Sequence, residues 1–312
     1  MKKFIYLFCF SFLLFTCDDG DVVEVSLDFD NTFKSCGDIV FFKTKSDPAE
    51  SLSIYINNLT LEDILETNYI DEDSVYVKLA DTLRTINIDG STNTFNYRTY
   101  SSLPSENNLF CNDVPSSQLN ITGDSSGTAT VILSVFLVED DNDGIPAEFE
   151  DINGDGDLDN DDTDDDGVPN YLDDDDDGDN IKTINENHNY TPADGLSNAQ
   201  NTDGVGDPDY LDEDDDGDGV PTRDEQSFSP EDHNPSTDIT NQEIGPDYLN
   251  PAVAESTPET EYRAHIIYQT YSVRIVLNNL SIPQLSQDFL NFGTLQNNNA
   301  TSSSRSVKTI FN

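Results

Sequence analysis

The stretch Thr128-Ala129-Thr130-Val131-Ile132-Leu133-Ser134-Val135-Phe136-Leu137-Val138 decides the fold. It has the composition of a long strand and runs straight into a segment of acids that begins at Glu139. Strand chemistry returns only between Tyr262 and Leu277, carried by Ile266, Tyr268, Val273, Ile275 and Leu277. Sequential strands usually pair, and a long insertion in their connection adds little loop-closure entropy. The two runs are therefore read as neighbours in one sheet, with the residues between them inserted.

Upstream, Val22 to Phe29, Ile39 to Thr44, Leu52 to Ile56, Val75 to Leu79, Thr85 to Ile88 and Thr94 to Tyr100 read as strands, with a turn at Asp89-Gly90. A short helix is expected at Leu61 to Glu66, capped by Thr60. The fold class this predicts is mainly β: an immunoglobulin-like or jelly-roll β-sandwich with an inserted, loop-rich acidic repeat region. Two separate β-units on either side of a stalk are the competing arrangement.

The acidic segment dominates the electrostatics. The 312 residues carry 63 Asp plus Glu against 14 Lys plus Arg, a formal net charge of −49. Between Glu139 and Glu225, 34 acids face only Lys182 and Arg223. A surface of that sign repels phosphates, so nucleic acid is excluded as a partner.

Spacing, rather than charge alone, makes the segment a metal-site candidate. Asp214, Asp216, Asp218, Gly219 and Glu225 stand at positions 1, 3, 5, 6 and 12 of a twelve-residue loop. Alternate carboxylates there converge on a calcium ion, glycine makes the sharp turn, and the last acid can bind bidentately. The same register places Asp175, Asp177, Asp179 and Glu186 in one loop, with Asn180 in the glycine place. It also groups Asp151, Asn153, Asp155 and Asp162; Asp162, Asp164, Asp166 and Asp173; and Glu139, Asp141, Asp143 and Glu150. Calcium is the cofactor this pattern implies. Proline at loop position 8, as in Pro146, Pro169 and Pro221, disfavours an EF-hand helix pair.

A longer period underlies the loops. Pro169-Asn170-Tyr171-Leu172-Asp173 recurs as Pro208-Asp209-Tyr210-Leu211-Asp212 and Pro246-Asp247-Tyr248-Leu249-Asn250. Tyr and Leu are expected to be packing knobs between calcium turns. With the Asp-x-Asp-x-Asp-Gly motifs and the following Ile145-Pro146, Val168-Pro169 and Val220-Pro221, residues 139–250 resemble the thrombospondin type 3 repeat of bacterial surface proteins and adhesins. That resemblance implies turns wrapped around a row of calcium ions, in a stiff, adhesive or structural spacer.

Residues 1–16 read as an export signal, with Lys2 and Lys3 ahead of the apolar run Phe4 to Phe15. Leu14-Phe15-Thr16-Cys17 resembles the lipobox of bacterial lipoproteins, which implies lipidation at Cys17. Asp18-Asp19-Gly20-Asp21 is similar to the acidic tether of Bacteroidetes surface lipoproteins, which implies a lipid-anchored protein of the outer membrane, exposed at the cell surface or facing the periplasm. With Cys9 in the signal and Cys17 lipidated, Cys36 and Cys111 remain as the pair expected to form a disulfide in an oxidising compartment.

The expected organisation is a signal over 1–16, a tether over 17–21, β-domain over 22–138, calcium repeats over 139–250, a linker over 251–261, and C-terminal strands with a mobile tail over 262–312. The function expected is a structural or adhesive calcium-binding surface protein with an extracellular protein or glycan partner. The alternative is a glycan-binding sandwich using Tyr97, Tyr100 or Tyr268. An enzyme is not expected, because His188, His233 and His265 show no metal-ligand or triad spacing.

Overall fold

The computed structural model describes residues 27–36, 40–71, 74–103, 105–112, 119–226, 233–259, 261–296 and 301–308. The signal, Cys17, the tether and the start of the Val22 strand lie outside the described residues.

The strands are β1 (Thr32–Cys36), β2 (Val40–Ser46), β3 (Ala49–Tyr55), β4 (Thr67–Tyr69), β5 (Val77–Leu79), β6 (Leu83–Ile88), β7 (Thr94–Tyr100), β8 (Ile121–Asp140), β9 (His265–Ile282), β10 (Leu285–Leu295) and β11 (Ser302–Val307). Seven of them close a ring in the order β8-β9-β10-β1-β2-β3-β7 and back to β8. The architecture is a closed seven-strand β-barrel, which corrects the immunoglobulin-like or jelly-roll sandwich read from the sequence.

The physical reason lies in the two long strands. On one side β8 pairs with β7 along its first part, Ile121 to Gly127, and with β6 further along, from Ala129 to Ser134. Its other side pairs with β9 from Thr128↔Ser281 to Asp140↔Tyr268. β9 in turn holds β10 along its C-terminal part and β11 along Thr270 to His265. The two β-parts that flank the acids therefore belong to one ring, and a four-strand flap of order β6-β8-β9-β11 flares from it toward the insert.

Alternation builds the barrel interior. Ala129, Val131, Leu133 and Val135 of β8 and Tyr271, Val273, Ile275 and Leu277 of β9 are buried, while Phe136 and Val138 are exposed. Asn279, at φ +53°, stands in the left-handed region beside a register shift, so that Leu280 and Ile282 still point inward. The seam that closes the ring is the parallel pairing of β1 with β10, Thr32↔Thr294 and Phe33↔Leu295. Gly293 is required there: it has φ +109°, and a Cβ on it would strike the Asn31 carbonyl. Phe33 packs edge-on against Phe41 at 5.5 Å and tilted by 48° against Phe292 at 5.4 Å, which fills the barrel behind the seam.

Helix α1 (Leu61–Leu65) carries its capping box: Asp63 N–H donates to Thr60 Oγ1 at 3.0 Å, and Thr60 N–H donates to Asp63 Oδ2 at 2.8 Å. Its Leu61 and Ile64 plug the same core. Cys36 and Cys111 form a disulfide across a sequence separation of 75, with Cα atoms 5.1 Å apart. Closing a loop of that size stabilises by about 4 kcal/mol on chain-entropy grounds. Within the C-terminal tail, expected to be mobile unless its last residues dock as an edge strand, Ser302–Val307 form β11 at the edge beside β9.

Candidate metal centre

The insert leaves the barrel at Asp140 and returns at His265, whose strands are paired side by side at that point. Between them the described residues make short 3-10 turns and no α-helix or named strand. The Pro-x-Tyr-Leu repeat fixes three of them, at Asn170–Leu172, Asp209–Leu211 and Asp247–Leu249. Each follows an extended proline and repeats one backbone bond: Asn170 N–H to the Asp161 carbonyl at 2.8 Å, Asp209 to Gln200 at 2.9 Å, and Asp247 to Asp238 at 2.9 Å. Leu172, Tyr210 and Tyr248 are buried in the repeat, as knobs. Val168 and Leu172 pack on Ile267 of β9, with Tyr76 and Val307 beside them, and this contact seats the insert on the flap.

Within each loop a single device aims the carboxylates. One oxygen of an aspartate accepts the N–H two residues on, and the other oxygen is turned to the loop interior. Asp143 N–H donates to Asp141 Oδ1 at 2.9 Å and Ile145 N–H to Asp143 Oδ1 at 2.7 Å, while Asp141 Oδ2 and Asp143 Oδ2 are buried without a hydrogen-bond partner among the described residues. The arrangement recurs at Asp164 and Asp166, at Asp177 and Asp179, and at Asp216 and Asp218.

Four all-oxygen groups result among the described residues, with ligand atoms within 4.8 Å of one another: Asp141, Asp143 and Glu150; Asp162, Asp164 and Asp166; Asp177, Asp179, Glu186 and Asp215; and Asp214, Asp216 and Asp218. A further group joins Asp166 and Asp173 to His265. Asp175 and Glu225 are buried beside these groups with both oxygens unpartnered among the described residues. Asp151, Asn153 and Asp155 are not drawn into a group; their oxygens accept from nearby backbone. Glu139 is turned away, to Arg305 at 2.9 Å and Gln269 at 3.0 Å.

Burial and mutual repulsion push these acids far from their ordinary range. Desolvation, then Asp143 and Glu150, raise Asp141 to about 11, and desolvation, then Asp143, raises Glu150 to about 9. Asp215 rises to about 10 through desolvation and Asp179, and Asp177, Asp179 and Glu186 are all raised well above the carboxylate range, desolvation leading in each. Such a set holds together as charged carboxylates only around a cation. The site therefore fits a divalent metal ion.

Sequence reasoning missed three contributors. Asp176, fully buried with both oxygens unpartnered among the described residues, feels Glu150, Asp141 and Asp143, so it faces the first group. Asp215 does the same for the loop before it. The signal for both was the unbroken acidic run Asp173 to Asp177 and its counterpart Asp212 to Asp216, in each of which the fourth member faces the preceding loop. His265 carried no signal, because it enters from a strand distant in sequence.

Fold and site together define a seven-strand barrel bearing an acidic insert whose carboxylate groups are able to coordinate a divalent ion. Residues 140–200 match the family model described as BamM C-terminal, over well under half of the chain. No match to the chain is found among curated proteins or among solved structures. The lipoprotein architecture with a thrombospondin type 3 spacer is thereby corrected: the insert is seated on the barrel through Val168, Leu172 and Ile267, and the matched family is a different one. The adhesive role that rested on a stalk falls with it. Of the tyrosines offered for glycan binding, Tyr97 is buried on Glu50 at 2.8 Å and Tyr100 on Ser51 at 2.8 Å, while Tyr268 is exposed.

Proposed function

We propose that the protein binds calcium, and that the ion's role is structural: it folds the acidic insert onto the flared end of the barrel. The observation that carries this reading is the group Asp177, Asp179, Glu186 and Asp215, four buried carboxylates around one point with unpartnered oxygens on each among the described residues. Calcium takes six to eight oxygen ligands in flexible geometry and accepts many carboxylates. Magnesium keeps much of its water and uses one or two carboxylates, which suits a buried four-carboxylate group poorly. Isothermal titration of the chelated chain is expected to show several calcium ions bound per chain, with equimolar magnesium failing to compete. No heat on calcium addition, or equal competition by magnesium, would overturn the reading.

Export and attachment to the outer membrane through lipid on Cys17 are proposed on residues 1–17 alone, from the basic start, the short apolar run and the cysteine that ends it. The Cys17→Ser variant is expected to move from the membrane fraction to the soluble fraction. Its retention in the membrane fraction would refute the anchor.

A further inference from the structure

The group at the foot of β9 differs in chemistry from the others. His265 is fully buried and is the one nitrogen donor in the candidate groups among the described residues. Its Nδ1 touches Asp173 Oδ1 and lies 3.6 Å from Asp174 Oδ1, so one face of the ring is held by carboxylates. Its Nε2 looks the other way, 3.7 Å from Asp166 Oδ2; that oxygen and both ring nitrogens lack a hydrogen-bond partner among the described residues, the Nδ1 contact with Asp173 being an ion-pair contact.

That geometry is the one a metal-bound imidazole adopts. A ligating histidine commonly gives its second ring N–H to a carboxylate, which fixes tautomer and orientation. Two donors each about 2.1 Å from one ion stand up to about 4.2 Å apart, which accommodates the Nε2 to Asp166 separation. Further oxygens are at hand: Asp166 also belongs to the group with Asp162 and Asp164, and Asp164 Oδ2 and Asp162 Oδ1 are buried and unpartnered among the described residues. The floor of the site is fixed too. Gly178 stands at φ +65°, and a Cβ there would meet Asp164 and, at 2.8 Å, Tyr262. A calcium ion prefers oxygen throughout, whereas imidazole with carboxylates suits zinc, manganese or cobalt.

We propose that His265 Nε2 and Asp166, with Asp173 orienting the imidazole, form a separate site for a transition-metal dication, placed where the insert meets barrel strand β9. The site clamps the two parts of the molecule through one ion, with ligands from both. It shares Asp166 with the group of Asp162 and Asp164, is distinct from the other three all-oxygen groups, and does not require calcium in them.

Cobalt(II) is the probe, added to the untagged chain in the presence of excess calcium. One equivalent is expected to bind and to give a paramagnetically shifted imidazole N–H proton resonance that disappears in D2O. In His265→Gln that resonance vanishes and cobalt affinity falls at least tenfold, while the calcium titration changes less than twofold. The double variant His188→Gln/His233→Gln leaves His265 as the single imidazole and is expected to keep the signal, so the proposal stays testable if His265→Gln does not fold. Loss of the signal in the double variant, its absence from the parent chain, or displacement of all cobalt by calcium would each overturn the site. Failure of calcium to bind at all would strike the reading above and leave the cobalt signal untouched.

Discussion

Millimolar calcium is expected to convert residues 141–250 from a protease-sensitive segment into a resistant one, with the barrel resistant under both conditions. The barrel has its own apolar core, running from Phe33 and Phe41 through Val131, Val273 and Phe292. The insert has one small apolar cluster, Val168 and Leu172 against Ile267 of β9, and scattered buried groups such as Ile145, Ile181, Tyr210 and Tyr248. Most of its other buried side chains are acids, so without a cation the charged form is expanded by self-repulsion. Each site that binds only the folded form adds about 2.7 kcal/mol when calcium stands at a hundredfold excess over Kd. Summed over the four all-oxygen groups, the effect is on the order of 10 kcal/mol, as large as the whole stability of an ordinary domain. Limited proteolysis with mass mapping, run in calcium and in EGTA, reads this directly. Identical cleavage maps in both would show that the insert folds without the ion.

The second large effect is a reversal of sign. Asp215→Asn is expected to stabilise the calcium-free chain and to destabilise the calcium-bound one. In the absence of the ion, Asp215 sits within 4.8 Å of ligand oxygens on Asp177, Asp179 and Glu186. Like charges about 5 Å apart repel by about 3 kcal/mol at an effective dielectric near 20, and the group escapes that repulsion only by holding a proton, Asp215 being raised to about 10 by burial and Asp179; an amide in its place removes either cost. With calcium bound, the same substitution removes a charged ligand, and affinity at that group is expected to fall at least tenfold. Asp155→Asn is the control, since Asp155 is exposed and belongs to no candidate group. Thermal melts of both variants with and without calcium decide the matter; shifts of one sign in both conditions for Asp215→Asn would rule out a cation-organised group.

Much of this arrangement was legible before any coordinates. Loop registers pointed to Asp177, Asp179 and Glu186 because the i, i+2 spacing of aspartates is itself the geometric device, each carboxylate locked by the N–H two residues on. Strand composition announced β8 and β9, though Ile266 and Tyr268 proved to lie off the buried face of β9, and Thr60 announced α1. Partners were another matter. A period of two says which face a residue takes and is silent on which strand lies alongside, so the parallel β1–β10 seam that turns a sheet into a ring could not be seen. β10 itself was hidden by Asp288, Asn291 and Gly293, which break its apolar pattern on the half-exposed wall. His265 was hidden for the same reason as the seam: its role depends on a neighbour supplied by the fold.

The side-by-side departure of the insert from β8 and its return on β9 has a mechanical meaning. Ladder pairing from Thr130↔Asn278 to Asp140↔Tyr268 clamps the two ends of the insert together. Tension applied through the chain termini is therefore borne by the barrel's strands, and the acidic lobe hangs outside the load path. Pulling on the molecule would leave its carboxylate groups assembled until the zipper between β8 and β9 had been sheared apart.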